Sequence, residues 1–393
     1  MENSIYQSRI LYNQLKQLNL CRIFPHTVIK HVLAILISVF SSGYRGKTRD
    51  FETYSPCHRT TVAHFLNKGV WDDRKLGDTL KESVIQVIYG EALRSAKPVF
   101  CIVDDTISSR TKPSSRALHP IEDAYFHQSH LKGRQDYGHQ AVSVMLSCNG
   151  IVLNYAVILY NKTKSKIKIV QDLAEELPVP PVISYFLCDS WYTSAALMDA
   201  FVKKGFYTIG AIRTNRIIYP HGFRQKIRET ALLLQKTKAA FHLVTVGSRS
   251  YYVYRYEGNL HGVENAVVLI SYPKEAIHDP KALRAFISTD VSLGTDEILN
   301  NYLERWPIEV FFRQSKGRLA FGRYQIRSSK GIQRYWLLMS LAHFIACTGS
   351  GKPVSFEDGY AYFYRRLQEE HIAYVYQCGK KQIPLADVLA LVA

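Results

Sequence analysis

Apolar residues in the first quarter of the chain recur at the spacing of an α-helix. Residues 28–40 and 62–71 both repeat apolar positions three or four residues apart, as in helices that bury one face against a core. The hydroxyls of Thr60 and Thr61 stand just before the second segment and are expected to cap it. The pattern therefore predicts a mainly helical region over residues 1–95.

From residue 98 onward the pattern changes to that of β-strands. Residues 99–103 form an apolar run that stops at Asp104 and Asp105, and a long polar connection is predicted over 107–138. Asn149-Gly150 lies between two apolar runs and predicts a hairpin. The further predictions are strands over 141–146, 151–160, 182–188 and 207–212, and helices over 165–177 and 193–204.

A second group of strands interrupts this α/β pattern. Strands are predicted over 241–246, 251–256 and 266–271, separated by turns at Gly247 and Gly258. A strand over 283–288 then returns to the first group, followed by a helix over 295–306 and a helical tail over 351–393. The region 214–282 is therefore expected to be a β-rich insertion.

The most informative stretch is residues 302–316, in which Tyr302, Arg305, Glu309 and Lys316 recur at helical spacing. Offsets of about four and seven residues fall on one helix face, whereas Leu303, Val310 and Phe311 face the other way and are expected to pack. Pro307 predicts a break near Trp306 that leaves Glu309 in the first turn of a second helix. A salt-bridged, solvated helix face is the alternative interpretation.

This stretch resembles the Tyr-x2-Arg-x3-Glu-x6-Lys signature of DDE transposases of bacterial insertion sequences, in the superfamily named after insertion sequence four. All four positions match, and the resemblance extends over residues 98–215 and 283–350. It implies an α/β fold, a ribonuclease-H-like core with an N-terminal helical domain; the strand predictions alone would allow other α/β folds. The implied domains are a DNA-binding domain (1–95), the first part of the catalytic core (96–213), the β-rich insertion (214–282), the second part of the core (283–350) and the helical tail (351–393). A helical cap on the enzyme is the alternative for residues 1–95.

Net charge and cysteine usage add to this picture. The 393 residues include 50 Lys and Arg against 33 Asp and Glu, a formal charge of +17, which suits a polyanionic partner. Basic enzymes and ribosome-associated proteins share this balance. Seven cysteines without a C-x-x-C pair favour a reducing compartment. The apolar run 32–40 is shorter than the about 20 residues needed to span a membrane, and the polar start of the chain does not read as a signal peptide.

Three acids are the candidate catalytic and metal-binding residues: Asp104, Asp189 and Glu309. Two are predicted at strand ends and one on a helix, and carboxylates without His or Cys partners favour a hard cation such as Mg²⁺. Two ions, with Mn²⁺ as a substitute, would serve phosphodiester cleavage and strand transfer. The resemblance selects Asp104 over Asp105, since its pattern is Asp-x-Ser/Thr. Asp290 is a weaker candidate that reads as a turn residue.

The resemblance also implies the partners and the reaction. The partners are double-stranded DNA, both terminal inverted repeats and target DNA, and a second copy in a synaptic homodimer, in the cytoplasm and nucleoid of a bacterium and without a membrane. Tyr302, Arg305 and Lys316 are expected to bind DNA. Arg213 and Arg216 either line the groove or are solvated surface residues. Some relatives stack a flipped base on a Trp in the insertion, but residues 214–282 contain no Trp; Tyr251, Tyr252, Tyr254 or Tyr256 would have to replace it.

Two other interpretations stay open. His221-Gly-Phe-Arg224 matches the H-x-x-R of tyrosine recombinases, although this tetrapeptide alone is a weak signal. A catalytically inactive or domesticated transposase-derived protein that only binds DNA is the second alternative. Such a protein would have no need to keep all three acids and their neighbouring cations.

Overall fold

The N-terminal quarter is helical in the computed structural model, which describes residues 8–55, 57–118, 120–129, 133–236 and 240–392, without the side chains of 389–392. In the described part of the chain, six helices precede the first strand. They are α1 (Arg9–Gln17), α2 (Leu20–Ile23), α3 (His26–Val39), α4 (Thr48–Glu52), α5 (Arg59–Asn67) and α6 (Asp73–Ser95).

The cap of α5 differs from the prediction. The His58 ring, rather than a threonine hydroxyl, accepts a hydrogen bond from the backbone N–H of Thr60. Thr60 and Thr61 instead lie inside the first turn of the helix. The predicted cap is therefore wrong by two to three positions, because an imidazole nitrogen can accept this bond as well as a hydroxyl can.

The first part of the sheet follows the predicted order of elements. It contains β1 (Val99–Ser109), β2 (Tyr125–Ser129), β3 (Arg134–Cys148), β4 (Ile151–Tyr160), α7 (Lys166–Glu176), β5 (Ser184–Cys188), α8 (Ala195–Val202) and β6 (Phe206–Ile212). The hairpin at Asn149-Gly150 is confirmed, since Cys148 pairs with Ile151. The central strands β1, β5 and β6 run parallel to one another.

Strand β1 does not stop at the carboxylate pair. It continues for four more residues to Ser109, paired with β3 throughout, and β2 lies within the segment predicted as an irregular connection. The predicted connection over 107–138 is therefore wrong in length; its residues 119 and 130–132 lie outside the described ones. The close approach of the strands requires a glycine at Gly138, where a Cβ atom would lie 2.2 Å from the Ser108 carbonyl oxygen.

The interrupting segment is β-rich, as predicted, and extends the same sheet. It contributes β7 (Ile217–Ile218), β8 (Gln225–Lys226), α9 (Ile227–Leu234), β9 (His242–Val246), β10 (Arg249–Leu260) and β11 (Val263–Pro273), and β12 (Arg284–Ser288) follows. Strand β12 lies between β6 and β11 and so joins the two groups. The twelve strands of the described residues form one mixed sheet in the order β2-β3-β1-β5-β6-β12-β11-β10-β7-β8, with β4 on β3 and β9 on β10.

The C-terminal helices cover the sheet and contact the N-terminal ones. They are α10 (Thr295–Leu303), α11 (Pro307–Gly317), α12 (Ser329–Thr348), α13 (Phe356–Lys380) and α14 (Leu385–Val392). Helix α12 packs on β4, α5, α6 and α13, and one apolar cluster runs from the N-terminal helices through the sheet to α13. Among the described residues, none of the helices has the length and apolar character needed to cross a bilayer.

Candidate active site

Asp104 and Asp189 stand side by side on neighbouring strands. Strands β1 and β5 pair in parallel with Val103 opposite Cys188, and each acid follows its strand's paired residue by one position. Neighbouring strands lie about 4.8 Å apart, so Asp104 and Asp189 lie close together at the point where β5 ends. Burial, and then the negative charge of Asp189, raises the pKa of Asp104 to about 7.

Helix α11 brings the third acid to the same place. Helix α10 ends at Leu303 and α11 begins at Pro307, whose missing N–H is tolerated in the first turn of a helix. The break near Trp306 and the position of Glu309 in the first turn are therefore confirmed. Phe311 is buried as predicted, whereas Leu303 is 54% exposed, so its predicted packing is wrong. The break ends the continuous helix face on which that prediction depended.

Arg305 joins two of the three acids. Its Nη1 donates to Asp104 Oδ2 at 2.9 Å, and its Nη2 donates to Glu309 Oε1 at 3.3 Å. The Arg305 and Asp104 side chains are each 17% exposed, and that of Glu309 is 41% exposed. One guanidinium therefore holds positive charge between the carboxylate of β1 and the carboxylate of α11.

Lys316 and Tyr302 lie next to the group formed by Arg305, Asp104 and Glu309. Lys316 Nζ lies 2.6 Å from Thr106 Oγ1, which is two residues after Asp104 and on the same face of β1. The Tyr302 ring packs against Phe286 with 4.8 Å between the ring centroids, beneath the Arg305 guanidinium. Burial raises the pKa of Tyr302 to about 12, so its phenol keeps its proton at neutral pH. Tyr302 thus supports Arg305 from the core.

Asp105 faces the opposite side of the sheet, as strand alternation predicts. Its carboxylate accepts hydrogen bonds from Lys166 Nζ at 2.7 Å, from the Tyr192 hydroxyl at 2.8 Å and from the Gln140 amide. Its backbone N–H donates to Asp104 Oδ1 at 2.8 Å. Asp105 therefore ties α7, β3 and the segment after β5 to the position next to Asp104. Sequence reasoning missed Lys166 and Gln140, because neither carries a local signal.

A divalent cation fits the chemistry of this site but not the present positions of its side chains. The donors are carboxylate oxygens, which hard cations such as Mg²⁺ prefer. In the described part of the chain, no three His, Cys, Asp or Glu side chains are grouped so that they could hold a metal ion. The Arg305 guanidinium occupies the space between two of the acids, so it would have to move for a cation to bind both.

Several weaker candidates lie outside this arrangement. Asp290 is buried and accepts bonds from the Ser292 N–H and hydroxyl, as a turn residue does. Arg216 is engaged by two backbone carbonyls. His221 and Arg224 are exposed in the segment between β7 and β8.

One candidate tyrosine of the insertion is buried, and two exposed tryptophans lie close to the acids in the sequence. Tyr256 of the insertion is buried, and its hydroxyl donates to the Asn259 carbonyl. Trp191, two residues after Asp189, is 49% exposed with Lys166 Nζ 4.6 Å from its ring centroid. Trp306, next to Arg305, is 62% exposed. The sequence signal that could have identified Trp191 and Trp306 is their position within three residues of Asp189 and Glu309.

Comparison with known proteins identifies a family. The family described as "Transposase DDE domain" matches residues 95–345, well over half of the chain. No protein among the curated ones matches the chain. The matched region begins just before β1, ends in α12 and contains Asp104, Asp189 and Glu309. The protein therefore belongs to the transposase DDE domain family.

Proposed function

We propose that the protein catalyses Mg²⁺-dependent DNA cleavage at transposon ends and joins those ends to target DNA, as a cut-and-paste transposase. The observation that carries this proposal is the convergence of Asp104 and Glu309 on one guanidinium, with Asp189 beside Asp104 on the adjacent parallel strand. Within a transposase DDE domain, these carboxylates supply the oxygen ligands that metal-assisted chemistry at phosphodiesters requires, once Arg305 has moved from between them.

The three carboxylates would hold the cations. Asp104 lies in the central strand β1 and Asp189 directly follows the central strand β5, whereas Glu309 lies in the first turn of α11, after the turn that separates it from α10. When bound, two Mg²⁺ ions, or Mn²⁺ as a substitute, would activate the attacking oxygen and stabilise the leaving one. Arg305 would then leave the carboxylates, and a phosphate oxygen is the natural new partner for its planar guanidinium.

The neighbouring residues orient the DNA strand. Lys316, held near Thr106 on the acid-bearing face of β1, offers an ammonium to the backbone. Tyr302 packs under Arg305 and limits the positions that the guanidinium can reach. Together Lys316 and Arg305 would neutralise phosphates next to a site that itself carries several negative charges.

The finer architecture belongs to the same proposal. The order of β1, β3, β4, β5 and β6 and the crossover helix α8 support a ribonuclease-H-like core. We also propose membership of the insertion-sequence-four superfamily, an N-terminal domain (1–95) that contacts the transposon ends, and a homodimer in the synaptic complex. The boundaries 96–213, 214–282, 283–350 and 351–393 stay predictions.

Paired variants test the catalytic proposal. Glu309→Gln keeps the size of the side chain but removes a charge needed to coordinate Mg²⁺, so cleavage should be lost while binding to an end fragment is kept. Lys316→Ala removes a phosphate contact and should weaken both. Both are measured on the same end fragment, by gel shift and by Mg²⁺-dependent strand cleavage.

This experiment also separates the alternatives. A protein that only binds DNA would show no Mg²⁺-dependent cutting even as the wild type. If Glu309→Gln cuts at the wild-type rate, the assignment of the three acids is wrong. A covalent protein–DNA adduct through a tyrosine would instead favour the recombinase interpretation.

A further inference from the structure

We propose that a second basic pocket, separate from the three acids, binds the phosphodiester backbone of DNA. This distal basic pocket has a volume of about 450 Å³, and it lies where three chain segments meet. It is lined by Arg45, Lys47, Ser109, Arg110, Thr111, Gly322, Arg323, Tyr324 and Gln325. The proposal rests on the function proposed above, because that function makes DNA the partner.

The charge of the pocket is entirely positive. Its lining contains four cations and no acid, and Arg45, Lys47 and Arg323 have exposed side chains. Among the described residues, none of the four cations forms an ion pair. The nearby Asp50 carboxylate accepts hydrogen bonds from the backbone N–H groups of Arg45 and Lys47, at 2.8 and 2.9 Å, so it is held by the loop rather than by the basic side chains.

Arg110 supplies a part-buried charge at the base of the pocket. Its guanidinium carbon lies 3.9 Å from the centroid of the Tyr324 ring, and its Nη1 donates to the Gly322 carbonyl. Its Nη2 is buried without an acceptor among the described residues. Buried charges in proteins are normally paired with an opposite charge, whereas within the described part of the chain Arg110 contacts backbone carbonyls and the Tyr324 side chain and no carboxylate. An anion is the partner that would complete the arrangement.

The pocket is built on a rigid frame. Gly46 has a φ of +79°, and a Cβ atom there would lie 2.7 Å from Ala320 Cβ. The close approach holds the segment with Arg45 and Lys47 against the connection between α11 and α12. A hydrogen bond of 2.8 Å between the Tyr44 and Tyr335 hydroxyls fixes the same contact. Since the three segments are packed before any ligand arrives, little ordering entropy opposes binding.

The position of the pocket relates it to the acids. Strand β1 carries Asp104 and ends at Ser109, so about 17 Å of strand separates the acids from the pocket at about 3.3 Å per residue. Thr106, which contacts Lys316, lies between them. One strand of duplex DNA carries a charge about every 3.4 Å, so a strand held at the acids would present phosphates to the pocket within about five nucleotides.

The decisive measurement compares the loss of one positive charge inside the pocket with the loss of one outside it. Lys47→Gln and Arg323→Gln remove charge from the pocket, whereas Lys97→Gln removes an exposed charge just before β1, at the end far from Ser109. Affinity is measured by fluorescence anisotropy in EDTA, with a duplex carrying the element's terminal sequence. The release of counterions makes one phosphate contact worth about eightfold in affinity at about 0.1 M salt. We expect that loss for each pocket variant and none for Lys97→Gln.

Two sources of the backbone are distinguished by a second arm. If the pocket holds the transposon end, affinity for the terminal duplex falls. If the pocket holds target DNA, the pocket variants bind the terminal duplex as tightly as Lys97→Gln does. Their preformed complexes with the terminal duplex then capture a labelled target duplex less well than those of Lys97→Gln. The proposal is overturned if both affinities match those of Lys97→Gln. Because EDTA excludes cleavage, this result is independent of whether Glu309→Gln supports the proposed chemistry.

Discussion

Replacing Asp104 with asparagine should stabilise the metal-free protein at neutral and alkaline pH. Burial and the charge of Asp189 raise the pKa of Asp104 from its ordinary value of 3.8 to about 7. The folded protein therefore holds this proton more tightly than the unfolded chain does. That contribution to stability is complete below about pH 4 and is lost as the pH rises through about 7.

The size of the effect follows from the shift. At about 1.4 kcal/mol per pKa unit, ionising Asp104 in the folded protein costs about 4 kcal/mol relative to the unfolded chain. Asparagine has the same shape and no charge, although it loses the ion pair with Arg305. We therefore expect the Asp104→Asn variant to be about 2–4 kcal/mol more stable than the wild type at about pH 8. The difference should shrink by about 2.5 kcal/mol at about pH 5.

Urea unfolding in EDTA at the two pH values measures this difference. Asp199→Asn is the control, because Asp199 is an exposed acid paired with Lys203 on the surface, and its stability should change by no more than about 0.5 kcal/mol. Adding Mg²⁺ should stabilise the wild type through ligand binding and Asp104→Asn much less. A variant that is less stable than the wild type at about pH 8, or a difference that does not change with pH, would refute the reasoning.

Three further predictions concern charge. DNA binding should weaken by about 10³-fold or more between about 50 and 200 mM salt if six or more phosphates are contacted, and a flat gel-shift titration would exclude phosphate-dominated binding. Lys166→Met should lower the free energy of unfolding by about 3 kcal/mol, because it leaves the Asp105 charge part-buried and under-paired. Lys164→Met is the control, since it removes a surface ion pair with Asp172, and it should cost under about 1 kcal/mol in the same urea titration. Arg334→Leu should cost at least about 3 kcal/mol, since the buried Arg334 guanidinium donates to four carbonyls at the end of α5 and in its connection to α6. A small change in the urea midpoint would contradict this.

Periodicity within single elements determined much of what the sequence predicts. The four-residue spacing of Arg305 and Glu309 predicted that the two side chains would be neighbours, and they form an ion pair although Arg305 lies in the turn between α10 and α11. The Asn149-Gly150 hairpin and the break before Pro307 are equally local, because one or two residues set the backbone dihedrals there. Strand alternation also predicted that Asp104 and Asp105 would face opposite sides of the sheet.

Only the tertiary structure decided which side chains meet across the sheet. Arg305 reaches Asp104, 201 positions away in the sequence, and Lys166 reaches Asp105, 61 positions away. The continuation of β1 to Ser109 depends on pairing with β3, and the distal basic pocket exists because Gly46 lets two distant segments touch. Spacing along a chain fixes neighbours within one helix or strand, where the period is known. Contacts between elements depend on the order and register of the strands, which the packing of the whole core selects.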